Sequence, residues 1–203
     1  MELGKLFFYF CGYVGEKLDF HDENGKRVLM IVYHYLGGSV TLPVTPDEYA
    51  NSPEEGTLVR VAGLCKIDKK RGTISLVPFE FSYEGRDPKF VLPTDAELLA
   101  GARFKGLVIL SSKNTGIMQD GSLYRNAIIG IFGGSYKFSS LEEKVYELLP
   151  EQGVLAIAGK IDTRIVGYRV EGVSYKRCEN TLLLQEFNKP QTEQKQSKQA
   201  AAA

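Results

Sequence analysis

The groups with which this chain could do acid–base, nucleophilic or metal chemistry are few and poorly spaced for it. Its 203 residues include two histidines and three cysteines. His21 and His34 both fall in the first half, with no counterpart in the second. His21-Asp22-Glu23 could surround a cation, but its place beside Asn24-Gly25 reads as a solvated turn. Cys11, Cys65 and Cys178 are odd in number and lack C-x-x-C spacing, so neither a disulfide framework nor a zinc site is expected. They read as small buried hydrophobes. No HExxH, GxSxG or P-loop spacing occurs. Gly37-Gly38 and Gly133-Gly134 are strand turns, because no helix follows at once to present its amides to a phosphate. The expectation is a protein without catalysis, cofactor or metal.

What the sequence does concentrate is positive charge and aromatic rings. Lys66, Lys69, Lys70 and Arg71 fall within six positions. There are 11 Tyr and 11 Phe, and no Trp. Rings on which bases stack, flanked by cations that follow a phosphate backbone, are the chemistry of single-strand binding, worth roughly 1–3 kcal/mol per stacked base. Lys and Arg total 25 and so do Asp and Glu, so attraction to phosphate must be local. The candidate stackers are Tyr9, Tyr33 and Tyr35, followed by Tyr136 and Tyr168. The candidate phosphate contacts are Lys66, Lys69, Lys70, Arg71, Arg125, Lys137, Lys160 and Arg164. Arg103, Lys105, Lys113, Arg169, Lys176 and Arg177 add to the basic character of the second half. In the first strand Leu6, Phe8, Phe10 and Val14 share one face, and Phe7, Tyr9 and Tyr13 the other. Alternation does not say which of these two apolar faces is inward.

The elements that must position these residues occur twice. Gly37-Gly38-Ser39, Gly56, Val61-Ala62-Gly63 and Lys66-Ile67-Asp68 are followed in the same order by Gly133-Gly134-Ser135, Gly153, Ile157-Ala158-Gly159 and Lys160-Ile161-Asp162. The last interval is shorter in the second copy. Strands are expected over 6–14, 27–36, 39–44, 57–67 and 73–83, then over 102–112, 123–132, 135–138, 154–163 and 168–176. Asn24-Gly25 and Asp120-Gly121 supply hairpin turns. Thr45-Pro46-Asp47-Glu48 and Ser140-Leu141-Glu142-Glu143 are capping boxes for one short helix per copy. The second helix should carry Leu141, Val145, Leu148 and Leu149 on one stripe. The connector, with Pro88 and Pro93, holds a single turn capped by Thr94 or Asp95.

Strand, strand, strand, short helix, strand, strand resembles the OB-fold, a five-stranded Greek-key barrel. The expected fold is all-β, with one short helix per repeat, in two tandem barrels. The expected organisation is a first barrel over residues 1–88, a connector over 89–100, a second barrel over 101–186 and a disordered polar tail over 187–203. Element order, duplication and the basic hairpin together are similar to single-stranded DNA-binding proteins of bacterial or phage replication with two OB-folds per chain. That resemblance implies sequence-tolerant binding of single-stranded DNA, with RNA as a second candidate, and protection of single strands in replication, recombination or repair. It extends to replication or repair proteins as partners and is compatible with a homodimer. The competing reading is a scaffold that docks proteins through the same barrels. With no apolar run of 18 residues and no signal-peptide pattern, the chain reads as soluble and cytoplasmic, without membrane partners.

Overall fold

A computed structural model describes residues 2–21, 25–68, 73–131, 133–170 and 173–189, with the side chains of 165–170 and 173–178 outside the description. The structure is all-β with three short helices. The first half runs β1 (Leu6–His21), β2 (Arg27–Tyr35), β3 (Gly38–Pro43), α1 (Pro46–Asn51), β4 (Leu58–Asp68) and β5 (Thr73–Tyr83). After α2 (Asp95–Leu99), the second half repeats the order as β6 (Arg103–Ile117), β7 (Leu123–Ile131), β8 (Gly134–Phe138), α3 (Glu143–Leu148), β9 (Gly153–Val170) and β10 (Val173–Asn188). Four strands outrun the sequence reading. β1 continues past Val14, β6 past Ser112 and β9 past Thr163 to Val170, so the expected strand over 168–176 is divided between β9 and β10, and β10 reaches Asn188, beyond the expected start of the polar tail. Cross-strand pairing carries these polar stretches where local propensity does not. The expected tail over 190–203 lies outside the described residues.

One sheet holds all ten strands, in the order β3-β2-β1-β4-β5-β10-β9-β6-β7-β8. β1 pairs with β4 through Leu6–Tyr13 and with β2 from Tyr13 onward. β6 divides itself the same way between β9 and β7. Each bends at a bulge, between Val14 and Lys17 in β1 and between Leu110 and Ser112 in β6. The two halves then join edge to edge: Leu6–Tyr9 of β1 also pairs antiparallel with Gly106–Arg103 of β6, with Phe8 opposite Phe104. Both rings are fully buried. Each lies over a glycine of its own half. A Cβ on Gly63 would sit 2.3 Å from the Phe8 ring and 2.3 Å from the Val77 carbonyl oxygen. A Cβ on Gly159 would sit 2.8 Å from the Phe104 ring and 2.0 Å from the Leu183 carbonyl oxygen. Phe8 to Phe104, Gly63 to Gly159 and Val14 to Leu110 are one and the same interval. In that alignment Lys66 corresponds to Asp162, so the Lys-Ile-Asp match in the sequence is not a structural equivalence.

A second join is polar. The Tyr35 hydroxyl donates to Thr163 Oγ1 at 3.3 Å, Thr163 to Asn180 Oδ1 at 2.9 Å, and Asn180 Nδ2 to the Ile74 carbonyl at 3.1 Å. Asn180 is buried and pairs with Ile74 where β10 meets β5. A buried amide bonded in this way fixes the register of the two halves.

The helices follow the sequence in one half and depart from it in the other. Thr45 Oγ1 accepts from the Glu48 amide, and Glu48 accepts from the Thr45 amide, as the capping box requires. The expected box at Ser140 does not form. Leu141 donates its amide to the Arg125 carbonyl of β7 at 2.8 Å, Ser140 takes a positive φ of 56°, and α3 starts after Glu142 without a side-chain cap. Leu149 is buried but Leu148 is 66% exposed, so the expected stripe is narrower. Beneath each helix lies a lysine from the equivalent strand position. Lys17 donates to the Ser52 carbonyl, and Lys113 to the Tyr146 and Leu149 carbonyls at 3.1 and 2.9 Å. Each ammonium also faces a helix tyrosine, Tyr49 or Tyr146. Lys113, a candidate for phosphate in the sequence, instead satisfies carbonyls at a helix end.

Two expected outcomes follow for denaturant unfolding. Gly159→Ala drives a Cβ into backbone and should lose about 1–3 kcal/mol. Gly130→Ala, whose nearest neighbour stands 3.8 Å away, should stay within about 0.5 kcal/mol. Equal tolerance of both would reject the close approach at the seam. Lys113→Met strands two carbonyls and should cost about 1–3 kcal/mol.

Candidate nucleic-acid interface

The 13 side chains chosen from the sequence scatter over several environments. Tyr33 is fully buried among Phe10, Phe81 and Tyr83, its hydroxyl 3.1 Å from that of Tyr83. Burial and that hydrogen bond push its phenol well above the usual range. Tyr136 is 6% exposed and accepts the Leu182 amide at 2.9 Å. Neither ring can receive a base. Both belong to the inward face of their strand, which alternation alone could not identify. Tyr35 is half-buried, with its ring on Phe10 and its hydroxyl in the join between halves. Arg125 pairs with Glu143 at 2.8 Å, and exposed Arg164 pairs with Asp162 at 3.0 Å. Arg164 and Lys160 are strand residues of β9, not loop residues, because the hairpin is longer than the sequence suggested. Lys137 is exposed on β8, away from the seam. Lys69, Lys70 and Arg71, and the side chain of Tyr168, lie outside the described residues.

Tyr9, Lys66 and Lys160 do converge, on a face built by the seam. Registers lay out one row across six strands: Glu80 on β5, Ala62 on β4, Tyr9 on β1, Arg103 on β6, Lys160 on β9 and Leu183 on β10. The next row is Val77, Leu64, Phe7, Lys105, Ala158 and Glu186. Lys66 extends the face one step beyond Leu64. Tyr9 is 41% exposed, and the Lys105 ammonium lies 5.4 Å from its ring centroid. Phe7 meets the exposed ring of Phe79 edge to face at 6.4 Å. Lys66, Lys105 and Lys160 are exposed, with no hydrogen bond or ion pair among the described residues. Aromatic rings and unpaired cations thus share one surface. Arg103 and Lys105 stand in the sequence only among the general basic residues of the second half, and Phe79 is not among its candidates. The alternation of Phe7/Tyr9 and of Arg103/Lys105 was the available signal. What it lacked was the pairing of β1 with β6.

The connector lies over part of this face. Between it and the sheet runs a groove of about 920 Å³, with Tyr9, Cys11, Arg60, Ala62, Glu80 and Arg103 on the sheet side. Arg60 holds the connector down: its two terminal nitrogens donate to the Glu97 carboxylate at 2.8 and 3.1 Å, and its Nε to the Val91 carbonyl at 3.2 Å. Glu97 also accepts the Thr94 amide and hydroxyl, completing the cap of α2. The guanidinium first, then those donors, hold its carboxyl down to about 2. Burial pushes the Cys65 thiol up to about 12, and raises Cys11 as well. Cys11 and Cys65 are free and buried, as read from the sequence. Among the described residues no cluster of His, Cys, Asp or Glu could hold a metal ion, and no helix is long and apolar enough to cross a membrane.

A carboxyl lowered on folding stabilises the clamp above its ordinary value of 4.5, and that contribution fades as pH falls toward about 2. Unfolding of wild type and Glu97→Gln should therefore differ by a constant amount above pH 4.5 and converge below it. A difference that persists unchanged in acid would show that the ion pair does not act.

No protein-family model matches the chain, and no curated protein matches it by sequence. Solved structures do. The wild-type single-stranded DNA binding protein from Thermus aquaticus superposes with a TM-score of 0.50, covering 92% of this chain and 92% of that one, at 11% identity. A deletion mutant of the same protein gives 0.48, covering 92% and 94% at 10% identity. Over 92% of its length this chain therefore has an OB-fold like that of the Thermus aquaticus single-stranded DNA binding protein.

Proposed function

We propose that the chain is a non-catalytic, sequence-tolerant binder of single-stranded DNA, built as two tandem OB-fold barrels over 1–88 and 101–186 with the connector 89–100 between them. The observation that carries this reading is the row Tyr9, Arg103 and Lys160 across the seam, with Lys105 above the Tyr9 ring. A strand crossing it would stack a base on Tyr9 or Phe7 and bring its phosphates to Lys105, Lys160 and Lys66. The β4–β5 hairpin adds Lys69, Lys70 and Arg71 by sequence. The likeness of fold to a single-stranded DNA binding protein supports the same reading. Protection of single strands in replication, recombination or repair, in the cytoplasm, is the role that such binding would serve. RNA and a homodimer of four barrels are compatible with it.

The scaffold reading has its own support in Val91, Leu92 and Leu99 of the connector, exposed by 70, 62 and 62%. Salt separates the two. Fluorescence anisotropy with a labelled oligothymidylate should show affinity falling steeply with salt as counterions are released. Lys105→Ala and Lys160→Ala should each lower the salt slope by about 0.7, and Tyr9→Ala should cost about 1–3 kcal/mol. Absence of binding at low salt would leave the scaffold reading. Binding unaffected by all three substitutions would move the site elsewhere.

A further inference from the structure

The groove under the connector presents groups of both charges. Three carboxylates line it, those of Glu80, Asp87 and Glu97. Asp87 is held by Ser82 and the Lys89 amide, and Glu97 by Arg60 and Thr94. Glu80 alone of the three makes no hydrogen bond or ion pair among the described residues. Arg60, Lys89 and Arg103 line it too, so the groove is mixed in charge.

Farther along the same sheet Arg103 lines the groove, and its Nε is buried without a partner. Glu80 and Arg103 belong to the same register row, separated only by Ala62 and Tyr9. At about 4.8 Å per strand their backbones stand roughly 14 Å apart. Ala62 leaves open space above its strand, and Tyr9 supplies an exposed ring beside it. The arrangement is therefore a free acceptor pair, a small floor, an aromatic ring and an unsatisfied donor, in that order.

A planar molecule complementary to this row needs two adjacent N–H donors on one edge and two adjacent acceptors on another. Among the DNA bases, guanine has both. N1–H and N2–H lie side by side for a carboxylate, and O6 and N7 lie side by side for a guanidinium. Adenine and cytosine offer one amino group, and thymine one ring N–H. We propose that the groove takes one guanine base, unstacked from a bound single strand, with Glu80 accepting from N1–H and N2–H, Arg103 donating to O6 and N7, and Tyr9 stacking on the ring. The inference rests on the single-strand reading above and adds one base-selective position to otherwise tolerant binding.

The test pairs two oligothymidylates of about 20 nucleotides, identical except for one central guanine, titrated by anisotropy at fixed salt. Equilibrium dialysis against deoxyguanosine and thymidine monophosphates runs beside it. The single guanine should tighten binding by at least about fivefold. Hypoxanthine in its place, lacking N2–H, should recover only part of that gain. Glu80→Gln should abolish the gain from guanine, read as the ratio of the two affinities, while oligothymidylate still binds. Dialysis should retain the guanine nucleotide only, and Glu80→Gln should release it. Oligothymidylate bound with no gain from guanine overturns the groove assignment and leaves the single-strand reading standing. Guanine nucleotide retained while neither oligonucleotide binds supports the groove and overturns that reading. Failure of every ligand overturns both.

Discussion

The antiparallel pairing of β1 with β6 is the contact on which the rest of this structure depends. Over Leu6–Tyr9, β1 is hydrogen-bonded on both edges, to β4 and to β6. Two strand edges that would otherwise template aggregation are closed against each other. The pairing is possible because Phe8 and Phe104 turn inward at its centre, each over a glycine that leaves room for the ring. Any side chain at Gly63 or Gly159 would meet both the phenyl ring and a carbonyl oxygen of the neighbouring strand. Small residues at those two points and large ones at the other two form a single constraint, present twice.

That same pairing makes the outer surface. Residues alternate across a sheet, so turning Phe8 and Phe104 inward must turn Phe7, Tyr9, Arg103 and Lys105 outward. Of the two strands, β1 presents the aromatic residues and β6 the cations. Joined, they alternate along adjacent rows at strand spacing. A chain of zero net charge thereby carries a local surface with several unpaired cations and few paired ones. The connector then divides this surface in two. Its Arg60–Glu97 clamp brings carboxylates over one part and leaves the part around Lys105 and Lys160 open. The same sheet thus offers an enclosed side of mixed charge and an open, basic side within a few residues of Tyr9.

The duplicated lysines show how structure redirects charge. Lys17 and Lys113 are indistinguishable in sequence from surface lysines. Each is held under a helix whose last carbonyls have no intrahelical donor, and the ammonium supplies one. Lys113 is 9% exposed in its side chain, and the aromatic ring of Tyr146 covers it. Lys113 follows the bulge between Leu110 and Ser112 of β6. Counting basic residues along the chain cannot detect this, because Lys113 and the carbonyls it meets are 33 and 36 residues apart in sequence.

Local physics was legible in the sequence wherever a short segment decided it. The order of strands and short helices, the Thr45 capping box, the duplication and the burial of Cys11 and Cys65 all follow from propensity, periodicity and composition. Strand ends were not legible, since β9 and β10 extend through polar residues by pairing with each other. Nor was the inward face of β2: Ile31, Tyr33 and Tyr35 share it with apolar residues on the other face too, and only packing against Phe10 and Phe81 buries Tyr33. Tyr136 was lost to the core for the same reason. Tyr9, Lys66 and Lys160 were chosen singly, yet they meet with Arg103 and Lys105 on one surface because β1 joins β6. The sequence by itself determined the order of strands and short helices and its repetition in the second half, though not where β9 ends and β10 begins. The tertiary structure decided which face of each strand sees water and which residues of the two halves become neighbours, because both depend on hydrogen bonds between segments about a hundred residues apart.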